Sequence, residues 1–116
     1  MSGSRIETAS FTSLHWIAIG LAAITGVVHV GIGFVFTDYL LGLAGLGFFG
    51  AIALVLLDVR RRLLYLLGIP YTAIQFVLYF VFNWPDVLSP VGIGDKVVQV
   101  ALMVALYLLY QRETEG

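Results

Sequence analysis

Four long apolar runs occupy most of this chain, and only one of the gaps between them is rich in arginine. The runs cover residues 13–36, 39–57, 63–82 and 93–110. Each is close to the ~20 helical residues that cross a hydrocarbon core ~30 Å thick. In hydrocarbon no water completes the backbone hydrogen bonds, so continuous apolar runs of this length have to be helical. The chain is therefore expected to be an all-α, polytopic integral membrane protein. Its spans should form one four-helix transmembrane bundle, up-down-up-down, within a single domain over residues 1–116. Composition agrees, with 60% of residues hydrophobic and 11% charged, whereas soluble domains carry about 25% charged residues. A water-soluble fold of 116 residues has too little interior to hide so much apolar surface. The first run continues well past the ~7–15 apolar residues of a signal peptide and reads as a retained span.

The breaks are short and carry their own signals. Thr37-Asp38 separates runs one and two, and Asp38 is placed to cap the second helix. Asp58-Val59-Arg60-Arg61-Arg62 separates runs two and three. Pro70 falls inside run three, where a missing backbone donor should kink the helix. Residues 83–92 hold Pro85 and Pro90 and form the one long loop, after which Asp95 is placed to cap helix four. Four spans put both termini and the arginine turn on one side. That side has Arg5, Arg60, Arg61, Arg62 and Arg112, and the other has only Lys96. Positive charge accumulates on the cytoplasmic side, so both termini are expected in the cytoplasm and the protein in the cell membrane.

A net charge of −1 gives no basic footprint for nucleic acid. The absence of cysteine excludes disulfides, iron–sulfur clusters and thiolate metal sites. No nucleophile stands with a base and no carboxylate dyad is visible, so the chain is expected not to be an enzyme.

The two histidines, His15 and His29, are 14 residues apart on helix one. At ~100° per residue they share a face, ~21 Å apart along the axis. Ala18, Ala22 and Gly26 lie between them. Small residues at this spacing let another helix come close. One reading is therefore a packing ridge, joined by Gly47 of the glycine-rich second run. The role that follows is a structural or accessory membrane protein, packing through these faces as a homo-oligomer. The alternative is haem, with His15 and His29 as ligands on opposite sides of the membrane in the manner of the cytochrome b family. No other span carries histidine, so a homodimer would have to complete each ligand pair, or Met103 would have to serve.

A second polar set is expected in the outer half. Gln75 and Tyr79 on helix three, Gln99 on helix four and His29 fall at similar depth. Unpaired polar groups in hydrocarbon cost several kcal/mol, so these should meet each other, water or a ligand. This cluster is the basis for a third role, a carrier or channel for a small solute. Arg60, Arg61 and Arg62 are candidates for anionic lipid headgroups, at about 1 kcal/mol each beside a charged leaflet.

Several segments together resemble a group of small, uncharacterised four-helix membrane proteins of halophilic archaea. They are His15-Trp16, Ile24-Thr25-Gly26-Val27-Val28-His29, Ala53-Leu54-Val55-Leu56-Leu57-Asp58, Arg60-Arg61-Arg62-Leu63-Leu64-Tyr65 and Gly68-Ile69-Pro70. The resemblance implies four membrane helices over nearly the full length, and brings no activity or site residues with it.

Overall fold

The computed structural model describes residues 11–115. They form four helices, α1 (Ser13–Val35), α2 (Tyr39–Leu56), α3 (Arg61–Asn83) and α4 (Pro90–Glu115). All four are long and apolar enough to cross a membrane. At ~1.5 Å per residue the 23 residues of α1 reach ~35 Å, enough for the hydrocarbon core.

Local chemistry sets the helix ends. At the start of α1 the Thr12 backbone N–H donates to His15 Nδ1 at 3.0 Å. Asp38 caps α2 as expected, its Oδ1 accepting from the Leu41 N–H at 3.1 Å. The turn before it holds Thr37 at φ 54°. The arginine turn is shorter than expected. Asp58 and Arg60 take left-handed conformations, φ 59° and 47°, and Arg61 and Arg62 already belong to α3. Pro70 lies inside α3.

The largest departure is at α4, which begins at Pro90 and not near residue 93. Proline suits the first turn of a helix, where its missing N–H has no partner to lose. Ser89 does the capping. Its Oγ accepts from the Gly92 N–H at 3.1 Å, and its carbonyl from the Ile93 N–H at 2.9 Å. Asp95 is therefore not the cap. It is the sixth residue of the helix, ~8 Å along its axis.

α1 packs on α2 and α4, and α3 packs on α4, whereas α2 and α3 touch least. The α1–α2 seam is built on glycine. A Cβ at Gly33 would stand 2.6 Å from the Gly42 nitrogen, and one at Gly45 2.7 Å from the Gly26 carbonyl oxygen. Nearer the arginine turn, Ala18, Phe48, Val55, Tyr65, Leu102, Ala105 and Leu109 form the apolar core. At that end Arg112 donates to Thr12 Oγ1 at 3.0 Å and ties α4 to the start of α1.

The surface is inverted relative to a soluble protein. Phe34 is 87% exposed, and Phe36, Leu40 and Phe82 are also exposed. Thr25, His29, Thr72, Asp95, Lys96 and Gln99 are buried. An apolar exterior with the polar side chains drawn inside, beside the apolar core, is the arrangement that a hydrocarbon solvent favours.

Candidate functional site

The early start of α4 carries two charged residues into the bundle. Asp95 is 5% exposed and Lys96 is 6% exposed. Lys96 Nζ lies 3.1 Å from Asp95 Oδ2 and donates to Gln99 Oε1. The same ammonium stands 4.8 Å from the centre of the Tyr79 ring and 5.8 Å from that of Phe76. Two aromatic faces and two oxygens thus surround one cation, as electrostatics of the ring quadrupole favours.

From this pair a relay of hydrogen bonds crosses to α1. Gln99 Nε2 donates to Thr25 Oγ1 at 3.4 Å. His29 Nδ1 lies 2.7 Å from the Thr25 carbonyl oxygen. A carbonyl only accepts, so Nδ1 carries the proton and Nε2 of the neutral ring keeps its lone pair. On the α3 side Tyr79 OH donates to the Val87 carbonyl at 2.8 Å and lies 3.4 Å from Ser89 Oγ. Tyr79 therefore fastens the loop that positions the start of α4.

These residues border a cavity of about 580 Å³ at the end of the bundle away from the arginines. Its polar wall includes His29, Asp38, Gln75, Tyr79, Asp95 and Lys96, with Asn83 and Ser89 beside them, and its apolar wall includes Ile32, Leu41 and Leu78. Two acceptors on this wall, Asp95 Oδ1 and Gln75 Oε1, are buried without a donor among the described residues. Such atoms are uncommon in folded proteins, because an unmade hydrogen bond costs about 1–3 kcal/mol.

The expected polar cluster is thus partly assembled. His29, Gln75 and Tyr79 share the cavity wall, while Gln99 lies behind it and couples Lys96 to Thr25. Gln75 does not reach the others, since its Nε2 donates to the Tyr71 carbonyl of its own helix at 3.1 Å. Asp95, expected as the cap of helix four, and Lys96, expected as an outer-side charge, are additions to this set. The available signal was Ser89-Pro90, a cap followed by the residue that best opens a helix.

The packing residues meet partners within the chain. Ala18 is in the core and Ala22 packs against it. Gly26 faces Gly45 and the Phe49 ring, and Gly47 leaves room for the Tyr71 hydroxyl, which donates to the Ala44 carbonyl at 2.6 Å. The α1 ridge is taken up by α2 and α4, and Gly47 by α3, so these positions are used within the chain. Of the arginines, Arg60 and Arg62 are exposed. Arg61 is buried, with Nε donating to the Val55 carbonyl at 2.8 Å and lying 3.4 Å from Asp58 Oδ1. It completes the end of α2.

The residues do not suit haem. His15 Nδ1 accepts from the Thr12 N–H, so Nε2 carries the proton in the neutral ring, whereas iron needs a nitrogen lone pair. The ring stacks on Phe11 at 4.7 Å, and the cavity beside it is about 70 Å³, too small for a macrocycle. His29 lines the larger cavity, but no second histidine and no methionine stands on that wall to complete an axial pair. Among the described residues no cluster of three His, Asp or Glu could hold a metal ion.

No curated protein and no solved structure matches the chain. A model for a family of unknown function, DUF7475, matches residues 2–110. The match covers nearly the whole chain and all of the cavity wall, and this four-helix protein belongs to the DUF7475 family.

Proposed function

We propose that the protein is a multi-pass membrane protein that binds a small polar solute in the cavity between its helices. The bundle spans up-down-up-down, with both termini and the arginine turn in the cytoplasm, so the cavity lies in the outer half. The orientation rests on Arg60, Arg61, Arg62 and Arg112, grouped at one end; Arg5 lies outside the described residues. The reading extends to the family as a group of small four-helix membrane proteins, in keeping with the resemblance to those of halophilic archaea.

The observation that carries the solute reading is the buried Asp95–Lys96 pair on the wall of a roomy cavity. Charged groups at membrane depth are expensive and seldom serve packing alone. A purely structural role draws less support, because the small-residue faces that suggested it are already packed within the chain. Binding, and not catalysis, is the proposed activity, since no group on the wall is arranged as a nucleophile with its base.

The test is thermal unfolding of the purified protein in lipid nanodiscs against a panel of small cations, zwitterions, neutral polar molecules and anions. At least one class should raise the midpoint in a saturable way, and Asp95→Asn should abolish the shift. A panel with no stabilising class contradicts the proposal.

A further inference from the structure

The solute reading leaves open which chemistry the cavity selects, and the wall itself distinguishes between classes. We infer that the ligand is a small amphiphilic monoamine, bound as its ammonium ion. This inference rests on the proposed solute site and adds the class of solute.

Charge is the first argument. Asp38 and Asp95 stand on the wall against one cation, Lys96, so its formal charge is −1 with His29 neutral. Lys96 is already committed to Asp95 and Gln99, so the carboxylate without a cation is Asp38, exposed at the rim of the cavity. An anion would pass the Asp38 carboxylate and then stand uncompensated in a low-dielectric interior, which is strongly unfavourable.

Hydrogen bonding is the second argument. Among the wall residues, Asp95 Oδ1 and Gln75 Oε1 are acceptors with no hydrogen-bond partner, and both are enclosed, so a ligand meets them when these side chains turn toward the cavity. In its neutral form His29 adds Nε2, because the bond to the Thr25 carbonyl places the single ring proton on Nδ1. A primary ammonium has three donors and no acceptor, which complements such a set. A carboxylate or phosphate offers only acceptors and would leave these atoms unpaired.

The third argument is that the chain already holds an alkylammonium here. Lys96 Nζ sits among a carboxylate, an amide oxygen and the Tyr79 and Phe76 rings. The adjoining space is far larger than a bare ion requires, and its apolar wall of Ile32, Leu41 and Leu78 suits a short hydrocarbon tail.

Matched probes test the class. Butylammonium, butanol and butanoate share one tail and differ in head charge. Each is titrated calorimetrically into the full chain in nanodiscs at neutral pH, with empty nanodiscs as the blank. Butylammonium should bind at least ~10-fold tighter than the other two, as charge-assisted hydrogen bonds predict. Asp95→Asn should lose that preference, and Gln75→Leu should weaken it ~10-fold. Gln75 is only half-buried and tied to its own helix, so its variant serves if Asp95→Asn does not fold. Equal or tighter binding of butanol or butanoate overturns the amine class and leaves a solute site in place. Butylammonium binding unchanged in both variants overturns it as well, by locating the amine elsewhere. Binding of none of the three, with no stabilising class in the unfolding panel, overturns both the class and the site.

Discussion

At the scale of single residues, the least forgiving group is the Lys96 ammonium. It is buried and has Asp95 as its counter-charge. Removing one member of a buried ion pair typically costs about 3–5 kcal/mol, because the other charge is left uncompensated. Lys96→Met should therefore destabilise by ~3 kcal/mol or more, read from denaturant unfolding in mixed micelles. Thr72 makes the opposite case. Its Oγ1 is buried with no hydrogen-bond partner among the described residues. Thr72→Val exchanges that hydroxyl for a methyl of similar shape, and should leave stability unchanged or raise it by about 1 kcal/mol in the same assay. Legibility also divides at this scale. His29, Gln75, Tyr79 and Gln99 stand out in sequence because polar side chains are rare in these runs. Asp95 and Lys96 sit near the end of a run, where charge is ordinary. Only the position of the Ser89 cap turns them from rim residues into buried ones.

At the scale of elements, the α1–α2 seam separates glycines that matter from those that do not. A Cβ at Gly33 would press on the backbone of Gly42 and Asp38, which has no flexible end to yield. A Cβ at Gly31 meets nothing within 4 Å. Gly33→Ala should thus lower stability by about 1–3 kcal/mol, as overpacking does. Gly31→Ala should raise it by up to ~1 kcal/mol through helix propensity. Thermal unfolding of the two variants side by side checks both signs. The turn offers another contrast. Thr37 is exposed and β-branched, yet holds φ 54°. Left-handed backbone costs such a residue about 1–2 kcal/mol, more than the entropy that glycine adds to the unfolded chain. Thr37→Gly should therefore stabilise the protein by ~0.5 kcal/mol. The helices themselves were legible because apolar length is a strong signal. Their ends were less so, since Asp58 and Arg60 turn the chain without the glycine that usually marks such a turn. The small-residue stripe was visible too, but a stripe does not say whether its partner lies in the same chain.

At the scale of the whole molecule, orientation and binding are the two claims to test. The chain has no cysteine, so single cysteines report sidedness without background. Thr37→Cys and Trp84→Cys should react with an impermeant maleimide in intact cells, whereas Arg60→Cys should react only after permeabilisation. The reverse pattern would invert the bundle and place the cavity on the cytoplasmic side. The most direct test of the central claim removes the buried charges together. An Asp95→Leu/Lys96→Met double variant leaves no lone charge behind, and apolar replacement of a buried pair is often neutral or stabilising. Thermal unfolding of this variant and the parent in nanodiscs, with and without butylammonium, separates a binding pair from a structural one. The account predicts a double variant that melts at or above the parent and has lost the amine-induced rise. A double variant that fails to fold, or that keeps the full rise, would contradict it.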